Sequence, residues 1–272
     1  MQTLQTILKI LDANMETPTS YGWFHLLSFA VTILLSILLP LFYRKRSRDS
    51  VRKLVLWVSV TVALLEVYKQ INFSFGYENG LTFDYAWYAF PFQFCSTPMY
   101  VGLLAGLTKK GKVHDAAMAY LGTYALFAGI CVMFYPNTVF VDTIGINIQT
   151  MICHGSMIAI GCCLLGTGYI KLEHKTILKA IVVFAICVGI AAIMNEIAFR
   201  VGLPEGDDFN MFFISPHSAP SLPVYSLVQG VVPFPFCLVI YVAAFSLAAY
   251  IMLLVAMGIQ TLVNKRAAKT AV

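Results

Sequence analysis

Seven apolar runs of spanning length divide this chain, at residues 23–43, 54–75, 91–108, 113–134, 149–170, 176–200 and 231–262. A helical crossing of a bilayer core takes about 20 apolar residues, so each run predicts one transmembrane helix. Composition excludes the alternatives. Hydrophobic residues make up 59% of the chain and charged ones 11%, against about 25% charged in an ordinary soluble domain. The expected fold is all-α, a single seven-transmembrane helix bundle over residues 1–272, with no soluble domain and no internal repeat.

The connections between the runs alternate in charge. The first holds Arg44, Lys45, Arg46, Arg48, Arg52 and Lys53, and the second only Glu78 and Asp84. The third holds Lys109, Lys110 and Lys112, and the fourth only Asp142. Lys171 and Lys175 flank Glu173 in the fifth, Glu205, Asp207 and Asp208 mark the sixth, and the tail carries Lys265, Arg266 and Lys269. Basic loops stay in the cytoplasm, which predicts an outside N-terminus and a cytoplasmic C-terminus. The formal net charge of +5 thus follows membrane topology and implies no nucleic-acid partner. Lys9 is the only basic residue before the first run, so no cleavable signal peptide is predicted.

Leu4, Ile7, Leu8 and Leu11 recur at helical spacing, which predicts an interfacial helix over residues 2–12. Tyr85, Trp87, Tyr88, Phe90 and Phe92 crowd the outer end of the third run, where aromatic belts form. The seven cysteines lie inside or at the ends of the runs without metal-ligand spacing, and adjacent Cys162 and Cys163 point to different helix faces. Neither a disulfide framework nor a metal site is expected, and no cofactor is implied.

Polar residues inside membrane spans are costly and mark sites by default. The predicted topology puts several at one depth, near the outer surface. Glu66, Lys69, Gln70 and Asn72 close the second run, with 66, 69 and 70 on one helix face. Gln93, Cys95 and Ser96 open the third, Gln149, Thr150 and His154 the fifth, while Asn195, Glu196 and Arg200 end the sixth. Two readings stay open: a buried polar plug that fixes helix packing, or a cavity facing the outer leaflet. Cys95 and His154 are the pair at this level able to do covalent chemistry. Pro91 suits a first helical turn, which predicts Cys95 about one turn into a helix, where the dipole favours a thiolate and free N–H groups hold an oxyanion. A histidine on a neighbouring helix then serves as base. Packing roles for both residues remain the competing reading.

The segment Pro91-Phe-Gln-Phe-Cys95-Ser96 resembles the "LPLHLCS" stretch of the YwaF-like integral membrane proteins of bacteria, and Cys153-His154-Gly155 resembles that family's "HG" stretch. Asn195 followed by Asn210-Met211-Phe212-Phe213 and Ser215-Pro216 is similar to its "N…NYMYL…P" pattern. That family is in turn similar to a eukaryotic acyltransferase that builds ether phosphatidylethanolamine through an acylated cysteine and, more distantly, to threonine hydrolases of hydroxy-fatty-acid esters. The resemblance implies Cys95 as nucleophile, His154 as base and a bacterial plasma membrane location. Gln93 stands where the family has His, and Phe212 where it often has Tyr; the first departure implies a changed contact to the substrate head group.

Residues 201–230 form a long outer loop with Glu205, Asp207, Asp208, Asn210, His217 and four prolines, Pro204, Pro216, Pro220 and Pro223. Its apolar stretch from Phe209 to Ile214 fits a lid-like or re-entrant segment, and a solvated loop is the alternative. Three functions compete. The first is a lipid acyltransferase working through a Cys95 thioester, with phospholipid or lysophospholipid as donor and acceptor. Gln93, Ser96, Glu66, Lys69, Gln70, Asn195, Glu196 and Asn210 then line its cavity, and no protein partner is implied. A lipid esterase using the same pair is its close variant. The other class is a small-solute or ion transporter using the Glu, Lys and Asn groups, which predicts polar residues reaching the inner face and internal symmetry. A retinal receptor is excluded, since residues 236–262 hold no lysine.

The loop charges generate a direct test. A membrane-impermeant thiol reagent added outside should label Asn79→Cys, Asn137→Cys and Asp208→Cys, and spare Ser47→Cys and Lys110→Cys. Labelling at position 47 from outside would overturn the orientation.

Overall fold

Hydrocarbon offers no water to backbone N–H and C=O groups, so apolar runs close their hydrogen bonds internally as helices. The computed structural model describes residues 2–77, 80–203, 208–219 and 222–270, and Glu78, Asn79, Pro204, Glu205, Asp207 and Pro220 lie outside them. Helix α1 (Gln2–Leu11) is followed by α2 (Trp23–Tyr43) and α3 (Arg48–Ser74). Ser47 caps α3, its hydroxyl accepting from Ser50 N at 3.2 Å, the usual N-cap device. A two-residue β-hairpin (Phe75–Gly76 with Thr82–Phe83) leads to the short α4 (Thr97–Leu107). Helices α5 (Lys112–Tyr120) and α6 (Leu126–Phe134) join through a π turn, Leu121–Ala125, into one rod. Then come α7 (Ile144–Gly166), α8 (Lys175–Val201), the single turn α9 (Pro223–Ser226) and α10 (Phe234–Thr270).

Six of these are long and apolar enough to cross a membrane: α2, α3, the 112–134 rod, α7, α8 and α10. The rod and α7 are the enclosed centre, while α2 and α10 face outward along most of their length. α7 packs against α2, α3 and α6, and α8 against α5 and α10. Glycines make the close approaches: a Cβ on Gly129 of α6 would fall 2.7 Å from His154 O of α7, and one on Gly155 of α7 would fall 2.5 Å from the Thr32 hydroxyl of α2. Small residues at helix contacts are how membrane helices gain packing without a hydrophobic driving force.

The third apolar run departs from expectation. It is not one helix from Pro91: the backbone turns from Pro91 to Ser96, and α4 begins only at Thr97. Its eleven residues reach about 16 Å, half of a roughly 30 Å hydrocarbon core. The cause is Pro98. Inside a continuing helix its ring would strike the Phe94 carbonyl and leave that carbonyl without a donor, whereas near a helix start it is harmless. Cys95 therefore sits in the turn before α4 and not one turn inside a helix. The whole segment still lies antiparallel along α3. Asp84 N donates to Ser74 O at 2.9 Å, Gln70 to Ala89 O at 2.8 Å, and Val62 packs with Met99. The Arg52 guanidinium reaches Gly106 O.

α1 is anchored through buried Leu8, with Ile7 and Ile10 exposed. Asp12, just beyond it, accepts from Asn72 (3.1 Å), Tyr77 (2.7 Å) and Thr143 (3.1 Å), tying this segment to the ends of α3 and α7.

The α3–α4 contact predicts a contrast between glycines. A Cβ on Gly106 would lie 2.7 Å from Leu56 Cα, so Gly106→Ala should destabilise by about 1–3 kcal/mol. Gly189 has nothing within 4 Å, so Gly189→Ala should be neutral or stabilise by up to about 1 kcal/mol. Thermal unfolding in detergent reads both, and equal tolerance would refute this packing.

Candidate functional site

One face of α3 builds the charged part of the polar level. Residues 66, 69 and 70 follow helical neighbour spacing, and all three side chains meet there. Lys69 Nζ lies 2.7 Å from Glu66 Oε1, and Gln70 Nε2 donates to the same oxygen at 2.9 Å. Gln149 of α7 donates to Glu66 Oε2 at 3.3 Å. Glu66 is 6% exposed, so three donors hold a carboxylate that little water reaches. Gln70 extends the network, donating to Ala89 O (2.8 Å) and accepting from Tyr85 OH (2.6 Å).

Cys95 lies beside this network. Its turn is closed by Ser96 N and Thr97 N, both donating to Gln93 O at 2.9 and 3.1 Å. Cys153 of α7 donates its thiol to Cys95 O at 3.7 Å, so α7 touches the turn directly. A cavity of about 30 Å³ opens at Cys95, lined also by Ser59, Cys153 and Ser156 and walled by Met99 and Met157. That is room for a water or two. Ser96 is buried next to it.

His154 follows Cys153 on α7. Its Nδ1 is 2.8 Å from Thr150 O. A carbonyl only accepts, so Nδ1 carries the proton and Nε2 keeps its lone pair. Nε2 is buried without a hydrogen-bond partner among the described residues, and no bond joins it to Cys95 in this state. A thiol and an acceptor nitrogen are groups that can take part in nucleophilic chemistry.

The amides serve another purpose. Gln93 donates to Asn210 O (3.0 Å) and accepts from Phe212 N (2.8 Å). Asn195 of α8 grips the same segment, donating to Met211 O (3.0 Å) and accepting from Met211 N (2.7 Å). Asn210 accepts from Ser215 N at 2.9 Å. Met211, Phe212 and Ile214 are fully buried, and the Phe212 ring stacks on Phe94 at 5.7 Å. The segment after α8 is thus inserted in the bundle against the turn that carries Cys95. Gln93 and Asn195, read from sequence as cavity-lining, have their amides occupied by backbone, and the Asn210 amide oxygen is occupied likewise. Glu196 is not brought to the cluster: it faces outward, half-exposed, with Arg200 at 2.6 Å and His217 at 2.9 Å. Sequence reasoning missed Ser59, Ser156 and Tyr85 as neighbours of this site. Ser156 sits one turn from Cys153, a spacing that could have flagged it, whereas Ser59 depends on the α3–α4 register.

The Glu66 network predicts coupling. Removing one partner of a buried ion pair strands the other charge, so Glu66→Gln or Lys69→Met should each destabilise by about 3–5 kcal/mol, and the double variant should lose less than the sum. Purely additive losses in a detergent melt would contradict the pairing.

A family model described as the TMEM164 family matches residues 18–255. The chain belongs to that family, a family of membrane proteins. No curated protein and no solved structure matches it.

Proposed function

We propose that this TMEM164-family protein is a membrane-embedded lipid acyltransferase that carries the acyl chain as a thioester on Cys95, with His154 as the base. The observation that supports it most is the His154 ring. Its Nδ1 is spent on Thr150 O, and its Nε2 lone pair is buried with nothing to accept from among the described residues. Buried acceptors are almost always satisfied, and a proton in transit is what a catalytic base is left free for. The neighbouring residue on α7 touches the Cys95 peptide.

In the proposed cycle the Cys95 thiol passes its proton to His154 Nε2, and the thiolate attacks the ester carbonyl of a phospholipid. The carbon–oxygen bond of the ester breaks, the departing lysolipid oxygen takes the proton from His154, and the acyl group remains on sulfur. An acceptor hydroxyl then gives its proton to His154 and attacks the thioester, and the Cys95 thiolate leaves and is reprotonated. Hydrolysis, with water as the acceptor, uses the same two residues. The present cavity of about 30 Å³ admits a water or two and no acyl chain. A lipid enters when its flexible walls, Met99 and Met157, part.

The proposal includes seven crossings in a cell membrane, with the broken segment 84–107 as the third and the N-terminus outside. The basic loops then face the cytoplasm and Cys95 the outer leaflet. It also includes the likeness to the YwaF-like proteins and to the ether-lipid acyltransferase. A transport reading finds less support, because the Glu66 network closes on itself and the cavity beyond Cys95 is walled mainly by apolar side chains.

Reconstituted in vesicles with phospholipid and lysophospholipid, Cys95→Ala should abolish acyl exchange. His154→Ala should lower it by roughly 10²–10⁴-fold, and the exposed-site variant Cys131→Ser should keep it. Intact-protein mass spectrometry should find one acyl adduct, absent from Cys95→Ala. Full exchange by Cys95→Ala would overturn the proposal.

A further inference from the structure

A groove of about 660 Å³ runs between α4 and α8 over the start of α5. Tyr100 and Leu104 of α4 face Val182 and Ile186 of α8, and Ala117 forms the floor, where a small side chain leaves the hollow open. One end stops at Phe92 and Thr97. The other reaches Lys112, Asp115 and Lys179. There it meets a second hollow of about 220 Å³, which shares Asp115 and Lys179 and adds Arg48, Lys171, Tyr169 and Thr176.

Charge at that junction is unbalanced. The second hollow holds three cations, Arg48, Lys171 and Lys179, against Asp115 alone. Lys179 and Asp115 are loosely paired at 3.7 Å and half-exposed. Nearby Asp49 is occupied by Arg52 at 2.6 Å and Lys53 at 2.9 Å. Among the described residues neither Arg48 nor Lys171 has an acidic partner; Arg48 lies over the Tyr169 ring at 3.9 Å. Length fits as well. The groove follows the eleven residues of α4, about 16 Å, close to half of a roughly 30 Å bilayer core.

From this geometry we infer that the groove and the basic hollow together hold one anionic glycerophospholipid of the leaflet that the basic loops face. Its phosphate sits among Arg48, Lys171 and Lys179, and an acyl chain lies between α4 and α8. Cytoplasmic leaflets supply anionic lipids, and basic pockets between helices on that side are where their head groups bind. The ester groups of such a lipid lie at the basic end, the length of α4 away from the level of Cys95. It is therefore a bound lipid and not the reacting substrate, and the inference stands independently of the proposed chemistry.

Native mass spectrometry of the full chain, released from micelles holding equal amounts of phosphatidylcholine and phosphatidic acid, tests it. One phosphatidic acid should be retained in preference to phosphatidylcholine. The Lys171→Gln/Lys179→Gln double variant should lose that preference by roughly tenfold or more, since it removes two of the three cations around the phosphate. Lys265→Gln in the tail should not. Leu104→Trp, which fills the groove without changing charge, should also expel the lipid, and Cys95→Ala should retain it. Inorganic phosphate should neither compete nor raise the melting temperature. Equal retention of both lipids, or retention unchanged in the double variant, would overturn the inference. So would competition by inorganic phosphate, or a second copy of the chain in place of lipid.

Discussion

Pro98 sets the constraint from which much of this structure follows. It stops α4 from extending back through the third apolar run, leaving residues 91–96 as open, partly buried backbone in an apolar bundle. Such backbone is tolerated only where protein supplies its hydrogen bonds. The bundle supplies them one at a time. Gln93 O takes two amide protons, Phe94 O accepts from the Thr97 hydroxyl at 3.0 Å, and Cys95 O faces the Cys153 thiol. The segment after α8 is a second stretch of irregular backbone, met by Gln93, Asn195 and two phenols. Tyr241 donates to Phe212 O at 3.0 Å and Tyr225 to Ile214 O at 3.1 Å. An amide side chain carries the same donor and acceptor as a peptide, which is why Gln and Asn do most of this work.

That division sorts the polar level. The amides of Gln93, Asn195 and Asn210 belong to the frame, and Glu66, Lys69, Gln70 and Gln149 form a closed ionic network beside it. His154 Nε2 is one of two buried side-chain atoms without a partner among the described residues, the other being Gln229 Oε1. The packing plug read from the sequence is present in the fold as this network. The plug is what holds the turn of Cys95 against α7.

Much of this was legible in the sequence, and the exceptions have physical reasons. Long apolar runs announce helices because hydropathy and length carry the signal, and the Glu66–Lys69 pair follows from i, i+3 spacing on one helix. Hydropathy averages over proline, so the break at Pro98 was invisible to it although the residue was in plain view. Depth along a span does not give rotation about it. Asn195 and Glu196 share a depth, but neighbours on a helix point about 100° apart, and one reaches the inserted segment while the other meets Arg200 and His217 outside. Gln93 bonds a backbone 117 residues away, a distance no local pattern bridges.

The inserted segment also shows how the frame holds a strained state. Phe212 and Phe213 have φ of 59° and 56°, the left-handed region, where a bulky residue costs about 1–3 kcal/mol. Burial of Met211, Phe212 and Ile214 offsets this, at about 1.5–3 kcal/mol for each large apolar side chain taken out of water. Apolar burial is non-directional and specifies no particular N–H or C=O. The amide clamps of Gln93 and Asn195 set the register, because each must meet one particular N–H and C=O. Gln93 and Phe94 face that segment while Cys95 faces α3 and α7. Register in the segment after α8 is thereby converted into the position of the sulfur.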